Sequence, residues 1–265
     1  MLRSATGRPV PSSRPPGSLA DPRAVLQPIA YLADGEVWGY EALCRVPGSP
    51  ERLLAPGAGH SLPLDALLAL ESRMLRSALT ARDRVPAGRL LAVNLSPVAL
   101  FSSAVWDVLH AFAPLDGIVV ELTEHRDPEP IDLLLPELER LRGMGAGIAL
   151  DDVGAGRGGL RYARQIAPDL IKLDRDVVSH IDREPLQRIM LEAVLRVAQE
   201  VDTPVVAEGI ERREELDVLL KDGIRFGQGF LLGRPAHDAA NLPPHVCRYL
   251  GGRAVQHARR RATLR

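Results

Sequence analysis

A chain of 265 residues with 46% hydrophobic content suffices for one large domain or two small ones with a sizeable core. Its 33 basic and 34 acidic residues nearly cancel, which argues against polymeric nucleic acid or a membrane surface as partner, and 4% aromatics leave little to stack bases on. Two cysteines, Cys44 and Cys247, make no disulfide framework and fit a reducing cytoplasm; the histidines show no zinc-ligand spacing, and no apolar run reaches membrane-spanning length.

Residues 1–22 are rich in Pro, Ser, Gly and Arg and lack the apolar region of a secretory signal, so they read as a disordered basic tail. Residues 248–265 read as a second basic tail. Between them, over 23–247, short apolar runs alternate with helical patterns. Val25 to Ala30 and Glu36 to Leu43 form a strand pair joined by Ala33-Asp34-Gly35, a hairpin signal. Asp65 to Leu79 keeps a helical period with Leu67, Leu70, Met74, Leu75 and Ala78 on one face. Arg89 to Asn94 and Gly117 to Glu121 are strands that end in polar residues. Ile131 to Arg142 is helical, kinked or begun at Pro136 and capped by Gly143 or Gly145.

Gly147 to Asp151 is a further strand, and it ends in the adjacent carboxylates of Asp151 and Asp152, with glycines immediately after. Neighbouring side chains on an extended chain point opposite ways, so both acids serve one site only if the backbone turns there, and the glycines permit that turn. Two like charges this close raise a pKa unless a cation sits between them. Pro168 to Asp174 is the next strand. Glu184 to Val201 is a helix with a stripe from Leu186 and Ile189 through Met190, Ala193, Val194, Val197 and Ala198 to Val201, Pro185 in its first turn and Asp182 as cap. The strand Pro204 to Glu208, the helix Arg212 to Leu220 and the strand Ile224 to Gln228 complete the pattern.

Strand and helix alternate, which predicts an α/β fold, a (β/α)8 TIM-type barrel with an antiparallel opening strand; a doubly wound open sheet is the alternative. In a barrel the strand ends converge on one face. Collected there are Glu41, Asn94, Glu121, Asp151, Asp152, Lys172, Glu208 and Gln228, a set of hard oxygen donors with one lysine that suits divalent Mg or Mn. Five carboxylates at one mouth repel unless cations offset them, and a pair of divalent ions about 3.5–4 Å apart does so.

The chain resembles the EAL domain, the bacterial cyclic di-GMP phosphodiesterase module. The resemblance rests on Tyr40-Glu41-Ala42-Leu43-Cys44-Arg45, Gln27-Pro28-Ile29, Val93-Asn94-Leu95-Ser96, Glu121-Leu122-Thr123-Glu124, Asp151-Asp152-Val153-Gly154, Ile171-Lys172-Leu173-Asp174, Ala207-Glu208-Gly209-Ile210-Glu211 and Gln228-Gly229-Phe230. It implies hydrolysis of cyclic di-GMP to linear pGpG with two divalent cations, Mg or Mn. By similarity Glu41, Asn94, Glu121 and Asp151 hold one ion; the second shares Asp151 and adds Asp152 and Glu208. Lys172, Glu208 and Glu211 form the catalytic set, and Glu124 braces the loop after Asp152. Gln27, Leu43, Arg45 and Gln228 hold the substrate. A stand-alone bacterial cytoplasmic module is expected, and a homodimer is compatible with the family's pairing through barrel-edge helices. The chain departs from the family at Val153, Ala155 and Arg157 and in a shorter, Pro/Gly-rich segment after Arg45. That departure keeps a second reading open, a catalytically weak or inactive receptor or interaction module. A glycosidase barrel, the third reading, leaves Asn94, Lys172 and the Asp pair unexplained.

Overall fold

A computed structural model describes residues 21–45, 53–54, 63–122, 130–154 and 159–252. Glu124, the loop residues Ala155 to Arg157, most of the segment after Arg45, residues 1–20 and residues 253–265 lie outside those residues; residues 248–252, expected to open the second tail, are helical instead, with Leu250 1% exposed.

The chain opens on β1 (Arg23–Tyr31) and β2 (Glu36–Arg45), paired antiparallel with Gln27 opposite Glu41. Their turn is the predicted one: Gly35 takes φ +81°, and Asp34 Oδ1 accepts from Glu36 N at 2.9 Å. A short β3 (Leu53–Leu54) lies along the end of β2. Then follow α1 (Leu64–Thr80), β4 (Leu90–Leu95), α2 (Ser103–Ala111), β5 (Ile118–Leu122), α3 (Ile131–Gly143), β6 (Gly147–Val153), α4 (Gly159–Ile166), β7 (Leu170–Leu173), α5 (Arg175–Val178), α6 (Pro185–Glu200), β8 (Val205–Ala207), α7 (Arg213–Lys221) and β9 (Phe226–Gly227). Residues 244–252 are helical again.

The strand order is β1-β9-β8-β7-β6-β5-β4-β2, and the β1–β2 pairing closes the circle, so eight strands form a barrel with β3 outside it. From β2 to β9 the barrel neighbours run parallel; β1 alone is antiparallel to both of its neighbours. This is the predicted TIM-type barrel with its antiparallel opening strand.

The two-residue period of each strand sorts its side chains between two environments. Outward residues such as Val93, Val120, Ile148 and Ile171 pack against the helices in one large core. Inward residues Ile29, Ala92, Val119, Ala149, Leu170, Val206 and Phe226 form a separate apolar layer inside the barrel, with Tyr31, Trp38 and Leu90 against it. The Trp38 and Phe226 rings lie 4.5 Å apart there. One step further along each strand, on the same inward face, stand the polar residues singled out from the sequence.

Several local expectations need correcting. Helix α3 does not begin at Pro136 but runs through it from Ile131, giving up one backbone hydrogen bond while Leu134, Leu138 and Leu141 stay buried on the barrel; Gly145 at φ +93° follows its end as expected. The inward face of α6 is Leu191, Val194 and Ala198, and Leu186 and Ile189 are instead 63% and 62% exposed. Two overlapping apolar stripes run along this helix, and only one of them fits the barrel wall. Glu184, not Asp182, precedes α6; Asp182 turns away to pair with Arg212. The helices α2 and α4 carried no sequence expectation.

Candidate functional site

Each strand delivers its polar group to one mouth by parallel register. Asn94 lies beside Glu121, and Lys172 beside Val206, whose strand leads on to Glu208. The Asp pair is set differently. Pairing of β6 with β7 shifts between Leu150 and Val153, and Asp152 occupies the left-handed region at φ 54°. This irregularity turns the backbone at the second aspartate itself, two residues before the first of the glycines that were expected to turn it, and both carboxylates reach the same mouth. Gly154 follows at φ +109°; a Cβ there would stand 2.6 Å from Val177 Cγ2, so the chain passes too close to α5 for a side chain.

At the centre lies Lys172, 2% exposed. Its Nζ is 2.6 Å from Glu208 Oε1, 2.8 Å from Glu121 Oε2, 3.4 Å from Asp151 Oδ1 and 3.5 Å from Glu41 Oε2. Glu41 is held from both sides: Asn94 Nδ2 donates to its Oε1 at 2.6 Å and Gln228 Nε2 to its Oε2 at 2.7 Å. Gln228 Nε2 also reaches Gln27 Oε1 at 3.1 Å, and Gln27 Nε2 donates to the Gly233 carbonyl at 2.9 Å. With Asn94 turning its amide N–H toward Glu41, its carbonyl oxygen stays available to a ligand.

The electrostatics follow from burial over an apolar floor. Burial drives Lys172 down, but the four surrounding carboxylates outweigh it and hold the ammonium well above its ordinary pKa. Glu121 is raised well above the usual carboxylate range by burial, then by Glu41, with Lys172 opposing. Asp151 is raised by burial against the pull of Lys172. Glu41 is also pushed up by burial, yet Lys172 and the Asn94 and Gln228 hydrogen bonds leave it below its ordinary value. Burial and then the charges of Asp151 and Asp174 bring Asp152 to about 7; burial, opposed by Lys172 and aided by Asp151, brings Glu208 to about 8. One ammonium cannot neutralise five carboxylates, and their mutual repulsion adds to the burial that chiefly raises Glu121, Asp151, Asp152 and Glu208.

The residues present fit a divalent cation. Ligand oxygens of Asp151, Asp152 and Glu208 all lie within 4.8 Å of one another. Asp151 Oδ1 and Glu208 Oε1 are buried and share the single Lys172 ammonium, at 3.4 and 2.6 Å, with Glu41 and Glu121. Buried carboxylates that outnumber the cation beside them are costly, and a further cation offsets that cost. All-oxygen donors of this kind suit Mg or Mn.

Of the residues selected from sequence, Asn94, Glu121, Asp151, Asp152, Lys172, Glu208 and Gln228 stand at the barrel mouth on or next to the strand ends, whereas Gln27 and Glu41 join them from the middle of β1 and β2, which run on past the mouth. Leu43 and Arg45 lie further along β2, both half-buried. Glu211 is on the exposed rim and pairs with Arg175 at 3.3 Å. Two acids that sequence reasoning left without a role support these. Asp174 presses its charge on Asp152 and caps α5, accepting from Asp176 N at 2.6 Å; its place directly after β7 was the available signal. Glu215, buried in the first turn of α7, accepts from Glu211 N and Arg212 N at 3.1 and 3.0 Å and from His180 N at 3.0 Å, and so ties the loop after Glu208 to the turn before α6. Its position three residues into a helix is that of a capping box.

Comparison with known proteins places this geometry. The EAL domain family matches residues 22–235. Among curated relatives, the cyclic di-GMP phosphodiesterase NbdA of Pseudomonas aeruginosa is 32% identical over 81% of this chain, and the cyclic di-GMP phosphodiesterase PdeR of Escherichia coli is 33% identical over 76%. The match covers 29% and 32% of those two proteins, so the chain spans about a third of their length or less. Among solved structures, BlrP1 of Klebsiella pneumoniae in a manganese/cyclic di-GMP complex is 33% identical with a TM-score of 0.70, covering 83% of this chain and 57% of that one. A standalone EAL protein of Vibrio cholerae, bound to cyclic di-GMP, superposes with a TM-score of 0.73 over 86% of this chain and 98% of its own; at 21% identity it speaks for the fold alone. With the barrel, the acid-lined mouth and the family match in agreement, the chain belongs to the EAL domain family.

Proposed function

We propose that this chain hydrolyses one phosphodiester of cyclic di-GMP, giving linear pGpG, with two divalent cations, Mg or Mn, at the barrel mouth. The observation that carries the reading is the assembled donor set, four carboxylates around one buried lysine with Asp152 and the Asn94 amide beside them. Glu41, Asn94, Glu121 and Asp151 would hold one ion; Asp151, Asp152 and Glu208 would hold the other. Bound there, such ions lower the pKa of an attacking water and stabilise the leaving oxygen.

The chain's own groups supply the rest. Lys172 keeps a fixed positive charge where the attacked phosphate gathers negative charge, and it needs no reorganisation to do so. Gln27 and Gln228 keep Glu41 in one rotamer through their hydrogen bonds. Glu208, with 19% of its side chain exposed against 2% for Glu121 and 7% for Glu41 and Asp151, is the most exposed of the four carboxylates on Lys172. Arg45 and Leu43, outward along β2, extend the substrate surface, Arg45 toward a phosphate. Glu211 shapes the rim with Arg175, and Glu124 is the expected brace of the loop after Asp152.

The reading meets its test in purified protein given cyclic di-GMP with Mg²⁺ or Mn²⁺ at alkaline pH, with products separated by chromatography. Metal-dependent pGpG is expected. Binding of cyclic di-GMP without product in either metal would replace the enzyme by a receptor, the reading that the departures at Val153, Ala155 and Arg157 keep open. Activity that survives EDTA would overturn the metal requirement.

A further inference from the structure

Outside the mouth, the buried charged side chains among the described residues are Glu71 and Glu215. The capping box accounts for Glu215. Glu71 sits on α1 at 2% exposure, and its Oε2 accepts twice from one residue of a different element: from Ser96 Oγ at 2.7 Å and from Ser96 N at 3.2 Å. Ser96 is buried in turn and stands two residues after Asn94, at the end of β4.

We infer that Glu71 is a positioning residue for Asn94, acting through Ser96. The inference rests on the proposed reading of Asn94 as a metal ligand. The physical case starts from cost: α1 needs only an apolar residue at this position to pack, and a carboxylate there must be repaid by charge-assisted hydrogen bonds. One bond comes from the Ser96 hydroxyl and the other from its backbone N–H, in the second peptide after Asn94, so together they fix where β4 stops and with it how its last inward side chain is aimed. The same helix holds the other side of the pair. Leu70 and Met74 pack with Cys44 of β2, whose Sγ contacts the Met74 carbonyl at 3.4 Å, and Ser77 Oγ accepts from Ala24 N of β1 at 3.0 Å. Helix α1 therefore packs on all three strands that carry Gln27, Glu41 and Asn94. Glu71 is its buried polar link to β4, beside the apolar packing of Leu75 and Leu79, and the 2.6 Å Asn94–Glu41 hydrogen bond depends on the two strands keeping that spacing.

The test is calorimetric titration of Mn²⁺ alone into wild type, Glu71→Leu, Glu71→Gln, Ser96→Ala and the Glu71→Leu/Ser96→Ala double variant, with a metal-free thermal melt of each. Glu71→Leu and Ser96→Ala should each weaken Mn²⁺ binding, Glu71→Leu by about 10–100-fold, the scale of losing a ligand's outer partner. Glu71→Gln keeps an acceptor oxygen for both Ser96 bonds and should stay near wild type. The double variant should lose less than the sum of the two single losses, because both changes cut the Glu71–Ser96 connection. Unchanged affinity in Glu71→Leu and Ser96→Ala, with only the metal-free melt lowered, overturns the positioning role and leaves a purely structural one. Additive losses, or Glu71→Gln falling as far as Glu71→Leu, overturn it too. Should Glu71→Leu fail to fold, Ser96→Ala and Glu71→Gln decide. Wild type that binds no Mn²⁺ overturns the metal reading along with this one, whereas wild-type binding beside unaffected variants overturns this one alone.

Discussion

Two rings of side chains lie inside the barrel, one residue pair apart along each strand, and they could hardly differ more. The lower ring is Ile29, Ala92, Val119, Ala149, Leu170, Val206 and Phe226. Adding two to the number on each parallel strand gives Asn94, Glu121, Asp151, Lys172, Glu208 and Gln228; subtracting two on the reversed β1 gives Gln27. The lower ring excludes charge by having nothing to pair with it. The upper ring collects charge and leaves it partly unpaired. The difference teaches that this site is electrically loaded because of what lies under it: the apolar floor denies the carboxylates water from below, and burial is the leading cause of their raised pKa values.

The contrast breaks most visibly at Asp151, the carboxylate common to both proposed ion sites. Asp151→Asn keeps its shape and removes its charge, and turnover should fall by roughly 10³-fold or more, the scale of losing metal-assisted attack. In EDTA the variant should melt no lower than wild type, since repulsion has been relieved; with Mn²⁺ wild type should gain melting temperature and the variant little. Chromatographic turnover together with paired melts checks this, and near-wild-type turnover would mean that the charge in the upper ring is not what works.

The converse change puts a charge in the wrong ring. Leu170→Asp sits two residues below Lys172 on the same face, among apolar neighbours, and should destabilise the protein by about 3–5 kcal/mol, the scale of an uncompensated buried charge. Denaturant unfolding measures it. A loss within about 0.5 kcal/mol, as at an ordinary surface site, would show the floor to be wet.

A smaller effect is expected from pH. Folding raises Asp152 from 3.8 to about 7 and Glu208 from 4.5 to about 8. Between those values the folded, metal-free protein binds more protons than the unfolded chain, so its stability falls as pH rises. Glu41, lowered instead, contributes above its unfolded value and is already ionised in this window, while Lys172 stays protonated throughout it. Melting temperature in EDTA should therefore be lower at pH 8.5 than at pH 5.5, and Mn²⁺ should remove or reverse the fall. A flat EDTA profile would mean that the cage carboxylates are not under strain. Smallest of all, Phe226→Leu in the floor should cost about 1 kcal/mol through lost packing and leave the chemistry above it in place, read by unfolding and turnover side by side.

Much of this was legible in the sequence because the strand period is two and because polar residues end apolar runs. Asn94, Glu121, Asp151, Lys172, Glu208 and Gln228 could be placed by that alone, as could the reversal of the first strand from Asp34-Gly35. The period did not show that Asp152 itself would enter the left-handed region; the glycines beside it offered an easier account of the same turn. On α6 two apolar stripes compete in one helix, and only packing against the wall chooses Leu191, Val194 and Ala198 over Leu186 and Ile189. Glu71 reads in sequence as one more acid on an amphipathic helix, since its partner Ser96 is 25 positions away. β9 is shorter than its apolar run suggested at both ends: Ile224 N still bonds back to Leu219 at the close of α7, and beyond Gln228 the chain turns off at Gly229, whose missing side chain lets it pass against the Ile210 backbone.

The floor has one more consequence. In terms of plumbing the barrel is a cup and not a tube: the ring from Ile29 to Phe226, with Trp38 and Tyr31 beneath, seals its lower end. Whatever reaches the cage comes over the lip and leaves the same way. For a reaction that opens a ring without detaching a fragment, the product is as large as the substrate and keeps most of its handles. Entry and exit then share a single doorway, and accumulating product should compete directly with substrate for it.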